Sequence, residues 1–127
     1  SINVIKLIGI ISRNFVSIKS KEMNVQNITQ EDFNSVIASN DKVVVKYYAD
    51  WCGACKMIAP KFKRLSGDER FEGVTFTEVN AEQNEAARKA GGVNNLPFFA
   101  VFKNGELVEG SATSKEDYIV SMINKLN

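Results

Sequence analysis

Cys52 and Cys55 are the only cysteines among the 127 residues of this chain, and just two residues separate them. They lie where a β-branched run (residues 42–48) gives way to a helix-like pattern. A thiol at a helix N-terminus lies in the positive end of the helix dipole and near unpaired backbone N–H groups, which favour the thiolate. A second thiol one turn further along can close a ring with the first. The spacing therefore predicts a pair that exchanges two electrons with another protein's disulfide through a mixed disulfide.

Three other interpretations of the cysteine pair stay open. It could be half of a zinc site, but such a site needs four ligands, and without histidine a second chain or carboxylates would have to complete it. It could be a purely structural disulfide, although stabilisation through chain entropy is small for so short a loop. It could be two inert core cysteines, although Gly53 and Ala54 between them are more typical of an exposed turn. We favour the redox interpretation.

Composition restricts the remaining chemistry. The length of the chain predicts one domain. The absence of histidine excludes Ser-His and Cys-His nucleophile pairs, histidine acid–base catalysis and nearly all catalytic zinc sites. Four basic side chains and no acid lie in residues 1–21, so with a total charge of +1 the rest of the chain carries −3. That charge indicates no nucleic-acid partner. No apolar run approaches the ~18 residues that a transmembrane span requires.

The N-terminal segment differs from the rest of the chain. Residues 1–20 are basic, rich in Ile and Val, and begin without Met, so we expect a processed product with an extension over residues 1–22 and a domain over 23–127. Val4, Ile8, Ile11, Phe15 and Ile18 follow a helical period that is typical of organellar transit peptides, although short alternating runs also permit strands. The extension is interpreted as a leader remnant or a docking segment. It suggests an organellar or secretory compartment, with a cytoplasmic location as the alternative.

Strand-like and helix-like patterns alternate from residue 23 onward. Their order, β-α-β-α-β-α-β-β-α, predicts an α/β fold with a central mixed sheet flanked by helices on both faces and an antiparallel edge. The cysteine pair falls after a central strand, at the edge where open α/β sheets place their sites. Strands are predicted over residues 25–28, 42–48, 74–79, 98–103 and 106–108, and helices over 29–38, 52–66, 81–90 and from 114 onward.

Local signals predict the ends and the buried faces of these elements. Thr29 and Asp32 have the spacing of a capping box, Asn104-Gly105 is typical of a type I′ hairpin, and Ser114 is expected to cap the last helix. The side chains expected to face the core are Met57, Ile58, Phe62 and Leu65 in the second helix and Tyr118, Met122 and Leu126 in the last.

Residues 43–60 resemble the strand, active site and following helix of the thioredoxin family. Residues 95–98 (Asn-Leu-Pro-Phe) resemble its cis-proline loop, and residues 102–105 the hairpin after it. The resemblance covers residues 23–127. It implies the thioredoxin fold and a protein disulfide reductase that binds no cofactor. It also implies disulfide-containing protein substrates and electrons from NADPH through a thioredoxin reductase or another dithiol donor.

The resemblance also assigns roles to residues of the site. Cys52 would be the exposed nucleophile and Cys55 the more buried resolving thiol. Pro97 would be cis, leaving the backbone groups of Leu96 free to pair with an extended substrate. Trp51 would belong to an apolar rim around Cys52, with simple packing as the alternative. The substrate-binding residues so implied are Trp51, Gly53, Ala54, Leu96 and Pro97.

Residues 46, 54 and 78 depart from the family pattern. Ala54 replaces the usual proline, which we expect to make the protein a weaker reductant. Lys46 stands five residues before Trp51, where the family has a buried Asp that accepts the proton of the resolving thiol, and Glu78 stands where its partner Lys is usual. We hypothesise that Lys46 and Glu78 pair and that Glu78, or a deprotonated Lys46, relays the proton of Cys55. The alternative is that Lys46 extends past its neighbours to solvent.

Two other functions stay open at this stage. The CGAC sequence and the leader are compatible with an oxidase or isomerase of a secretory compartment. The chain could also be a thioredoxin-fold subunit that acts mainly by binding within a larger protein complex through residues 1–22. Substitution of both cysteines would separate these classes, because a binding role should survive it.

Overall fold

The structure is a computed structural model that describes residues 21–127. The helical period predicted for residues 1–20 lies outside the described residues. The elements, in chain order, are β1 (Val25–Asn27), α1 (Gln30–Ser39), β2 (Lys42–Tyr48), α2 (Gly53–Ser66), a 3₁₀ turn (Glu69–Phe71), β3 (Val74–Asn80), α3 (Glu85–Gly91), β4 (Phe98–Lys103), β5 (Glu106–Ala112) and α4 (Glu116–Asn124).

A five-stranded mixed sheet in the order β1-β3-β2-β4-β5 forms the centre of the fold. The central strand, β2, runs parallel to β3 and antiparallel to β4, and β1 and β5 pair with β3 and β4 respectively. Because β2 is covered on both faces, it is a nearly continuous β-branched and aromatic run. The predicted mixed sheet with helices on both faces is confirmed. The β4–β5 turn has positive φ at both Asn104 and Gly105, as a type I′ turn requires.

Alternate side chains of β2 enter two separate cores. Val43, Val45 and Tyr47 pack with α1 and α3 on one face, whereas Val44 packs with α2 and α4 on the other. The Tyr47 hydroxyl donates a hydrogen bond to the carbonyl of Ala87 at 2.7 Å, and burial raises the pKa of this phenol. The end of β2 that precedes the cysteines is thus fixed to α3 by a buried hydrogen bond.

Two side chains predicted to face the core are exposed. Met57 is 78% exposed, because the buried stripe of α2 runs through Ile58, Phe62 and Leu65 and Met57 lies about 100° away from it. Tyr118 is also exposed and donates a hydrogen bond to Glu109 at 2.5 Å. Each side chain directly precedes a buried residue of its helix, Ile58 in α2 and Ile119 in α4.

Four predictions about the ends or caps of elements differ from the structure. The third helix begins at Glu85, since the Asn80 side chain accepts a hydrogen bond from the backbone N–H of Glu82 and forms a turn first. The last helix begins at Glu116, and it is Thr113, not Ser114, whose hydroxyl accepts a hydrogen bond from the backbone N–H of Lys115. The hydroxyl of Thr29 donates to the Asp32 carboxylate, so Thr29 makes no side-chain cap. Strand β5 extends beyond the predicted residue 108, to Ala112.

An ion pair between β5 and α4 predicts a pH-dependent stability. Hydrogen bonds from Lys125 and then from Tyr118 lower the pKa of Glu109. A carboxyl whose pKa is lower in the folded state contributes stability above its unfolded pKa and loses it as the pH falls through the folded value. We therefore expect Glu109→Gln to lower the urea midpoint at pH 7, and expect the difference from the parent protein to disappear with acidification. A difference that is equal at neutral and acidic pH would contradict this origin.

Candidate active site

The two cysteines form a disulfide at the start of α2. Cys52 is the residue before the first helical residue, and its Cα lies 5.3 Å from the Cα of Cys55. The backbone N–H of Cys55 donates to the sulfur of Cys52 at 3.2 Å. The sulfur of Cys52 therefore occupies the capping position of the helix, where the helix dipole and a direct N–H donor both favour a thiolate after reduction.

Both cysteines are buried in this disulfide form. Cys52 is 5% exposed and Cys55 is 3% exposed, so the prediction of an exposed Cys52 is wrong for this state. The reason is a small apolar cluster in which Ala49 packs with the two cysteines, and Tyr48 and Leu96 pack against it. Little of either cysteine is therefore accessible in the disulfide form.

The surface beside the cysteines carries the other predicted site residues. Trp51 is 68% exposed, and Gly53 and Ala54 are exposed next to it. The Leu96-Pro97 peptide bond is cis, as predicted, and Leu96 packs against the cysteine cluster. The structure thus brings these residues together around the disulfide.

One residue of the loop before Pro97 was missed by sequence reasoning. The side-chain oxygen of Asn95 accepts a hydrogen bond from the backbone N–H of Leu96 at 2.9 Å. The prediction that the backbone groups of Leu96 are free is therefore wrong for its N–H. Asparagine often bonds to nearby backbone, and this tendency was the only available signal in the sequence.

Lys46 and Glu78 lie directly opposite each other on β2 and β3 and form an ion pair. The Lys46 Nζ lies 3.0 Å from Oε2 of Glu78, and the two side chains are 5% and 26% exposed. The Lys46 ammonium also lies 5.6 Å from the ring centroid of Tyr48 and 5.7 Å from that of Phe62. The pairing is as hypothesised, and the alternative in which Lys46 extends into solvent is wrong because this side chain is buried.

Two open clefts meet at this ion pair. One, of about 400 Å³, reaches Cys55 and is called the cysteine cleft, and the other, of about 350 Å³, lies on the far side of the pair between α2 and β1. Lys46, Ala59 and Glu78 line both clefts. The cysteine cleft is also lined by Tyr48, Ala49, Asp50, Cys55 and Lys56, and the far cleft by Met23, Asn24, Val25, Pro60 and Lys63.

Within residues 21–127, no group of three or more His, Cys, Asp or Glu side chains is placed to hold a metal ion. Over the same range, no helix is both long enough and apolar enough to cross a membrane.

A disulfide at the N-terminus of a helix, after the central strand of a mixed sheet and beside a cis-proline loop, defines the site of a thiol–disulfide oxidoreductase. The Thioredoxin family profile matches residues 24–125. The chain belongs to the thioredoxin family, and it acts as an oxidoreductase on disulfides.

Individual relatives agree with this assignment. Thioredoxin-1 of Schizosaccharomyces pombe is 38% identical over 78 residues, which span 61% of this chain and 74% of that protein. The chloroplastic thioredoxin F-type of Brassica napus is 33% identical over 113 residues, which span 84% of this chain and 61% of that protein. Among solved structures, Plasmodium falciparum thioredoxin superposes with a TM-score of 0.72 at 29% identity, over 80% of this chain and 98% of that one.

Proposed function

We propose that this protein reduces disulfides of other proteins, with Cys52 as the attacking thiolate and Cys55 as the resolving thiol. The observation that carries the assignment is the position of the Cys52 sulfur, which caps α2 and accepts the N–H of Cys55 at 3.2 Å. The same N–H would stabilise the negative charge on Cys52 after reduction. Cys55 lies within the helix and receives no corresponding donor from the described residues.

The reaction transfers two electrons from the dithiol to the substrate. The Cys52 thiolate attacks one sulfur of the substrate disulfide, which forms a mixed disulfide and releases the first substrate thiolate. Cys55 loses its proton, and its thiolate attacks the Cys52 sulfur. This step forms the Cys52–Cys55 disulfide and releases the second substrate thiolate. A second dithiol must then reduce the protein, and the proposed donor is a thioredoxin reductase that uses NADPH.

The proposed docking surface consists of the exposed side chain of Trp51, the exposed turn at Gly53 and Ala54, and the loop at Leu96 and Pro97. An extended substrate segment would pair with Leu96 as an added strand. The Leu96 N–H already donates a hydrogen bond to the Asn95 side-chain oxygen, so a substrate carbonyl would have to displace that oxygen.

We also propose that residues 1–22 are an extension of a domain over residues 23–127, and that the extension directs the protein to an organelle or a secretory compartment. The basic, acid-free composition of residues 1–20 supports this proposal, as does the similarity to a chloroplastic relative. The alternatives are a cytoplasmic location and a role of the extension in binding a larger protein complex. Fusion of residues 1–22 to a fluorescent protein would distinguish targeting from the alternatives.

The reductase assignment predicts that the protein accelerates insulin reduction by NADPH and a thioredoxin reductase. The reduction potential of the Cys52/Cys55 couple is expected to be about −270 mV, shifted upward by Ala54. It can be measured by equilibration against thiol buffers, with Trp51 fluorescence as the readout. An Ala54→Pro variant is the matched control for that shift. A potential near about −180 mV, or no reduction of insulin, would instead favour the oxidase or isomerase alternative.

A further inference from the structure

We infer that Glu78 accepts the proton of Cys55 in the resolving step and passes it to solvent through the cleft on the far side of the Lys46–Glu78 pair. Lys46 is then a positioning residue that holds the carboxylate between the two clefts. This inference rests on the proposed roles of Cys52 and Cys55.

The ion pair itself determines which of its members can accept a proton. An ammonium has no lone pair, and the Lys46 Nζ lies 3.0 Å from a carboxylate oxygen of Glu78, so Lys46 acts as the donor of the pair. Glu78 uses only Oε2 in this pair, and within residues 21–127 no protein donor bonds to its Oε1. One carboxylate oxygen therefore stays available as an acceptor while the other is fixed by Lys46.

The two clefts supply the route for the proton. Cys55 and Glu78 line the same cleft of about 400 Å³, which is large enough to hold several waters between them. Glu78 also lines the second cleft, of about 350 Å³, together with Asn24 and Lys63, and its side chain is 26% exposed. A proton received from the cysteine cleft can thus leave without passing the substrate that covers Cys52.

The proton and electron balance closes without another reactant. Cys55–SH gives its proton, directly or through water, to the Glu78 carboxylate and becomes the thiolate that attacks Cys52. The substrate thiolate leaves with the electron pair of the broken disulfide bond. Glu78 returns to the carboxylate when it releases its proton to solvent, and it is ready for the next cycle.

Other charged groups surround Glu78 and must be controlled for. Asp50 is the rival acceptor, because its carboxylate lines the cleft with Cys55, although it is exposed on the turn before the helix. The remaining titratable groups that line the two clefts are Lys46 and Tyr48 from β2, and Cys55, Lys56 and Lys63 from α2.

The decisive experiment mixes the reduced protein rapidly with dithiobis(nitrobenzoate), a disulfide probe that releases one coloured thiolate on attack by Cys52 and a second on resolution by Cys55. We expect Glu78→Gln to keep the first phase and to slow the second by about tenfold or more at pH 6. The deficit should shrink to less than about twofold at pH 9, because above the ordinary thiol pKa of about 8.5 solvent takes the proton. A merely structural role of Glu78 would not produce a deficit that closes with pH.

Three further variants complete the test. Asp50→Asn, the matched control, is expected to resolve at the parent rate at pH 6. Glu78→Asp and the exchanged pair Lys46→Asp/Glu78→Lys each retain a carboxylate beside the cysteine cleft, and at least one of them is expected to recover most of the rate. The inference is overturned if Glu78→Gln resolves normally at pH 6, if its deficit is the same at every pH, if Asp50→Asn carries the deficit, or if neither carboxylate-retaining variant recovers.

Failure of this inference differs from failure of the proposed function. If Cys52 is not the nucleophile, the Cys55→Ser variant will release no first thiolate from the probe. If Cys52 is the nucleophile but Glu78 is not the acceptor, the first phase will be normal in every variant and only the second phase will decide.

Discussion

Cys52→Ser is expected to abolish insulin reduction, whereas Cys55→Ser is expected to stop after the first attack and accumulate a mixed disulfide with the substrate. The reason is that only Cys52 has its sulfur at the helix cap with an N–H donor at 3.2 Å. Without Cys55, no intramolecular thiolate can release the bound substrate. Turnover should fall by ~10³-fold or more in both variants, a loss typical of removing a nucleophile. Mass spectrometry of acid-quenched mixtures would identify the trapped species.

Two controls make this result specific. Far-UV circular dichroism should be unchanged in both variants, since the disulfide closes a loop with a sequence separation of only 3 and contributes little through chain entropy. The Cys52→Ser/Cys55→Ser double variant should form no mixed disulfide. If the double variant retained the protein's role in cells, the binding-subunit alternative would be correct. If Cys52→Ser alone still reduced insulin, the assigned nucleophile would be wrong.

Much of the fold could be predicted from sequence because its signals are local and redundant. The apolar run of β2 and the Asn104-Gly105 turn each specify a backbone geometry without reference to distant residues. Exposure at the edges of helix faces could not be predicted in the same way. Met57 and Tyr118 each stand next in sequence to a buried residue, Ile58 and Ile119 respectively, and only the packed neighbours decide whether such a residue is covered.

The residues of the site show the same contrast between what the sequence signals and what packing decides. The cysteine pair was evident from spacing, and the Lys46–Glu78 pair was evident from matching two strands of a known family, because register places facing residues in contact. The burial of Cys52 and the occupation of the Leu96 N–H by Asn95 were not evident. Both depend on how the loop before Pro97 packs against the start of α2, and these two segments are distant in sequence.

Glu78→Leu is expected to destabilise the protein more than Lys46→Met does, and the double variant is expected to be close to the parent in stability. Removing Glu78 leaves an ammonium whose side chain is only 5% exposed between two aromatic rings, which we expect to cost about 2–3 kcal/mol. Removing Lys46 leaves a carboxylate that is 26% exposed and can reach water, so the cost should be about 1 kcal/mol. Replacing both by apolar side chains removes the uncompensated charge, and the free energy of unfolding should return to within about 1 kcal/mol of the parent value.

Urea unfolding of the four proteins gives the coupling free energy of the pair as a double-mutant cycle. The exposed pair Glu85–Lys89, whose side chains are 65% and 73% exposed, is the matched control and should show almost no coupling. A coupling of Lys46 with Glu78 as small as that of the control would mean that the buried ammonium finds other solvation, and Glu78 would then lack the fixed position that proton transfer requires. A large coupling together with slow resolution in the stable double variant would separate the two contributions of Glu78, since stability would be restored while the proton acceptor would still be missing.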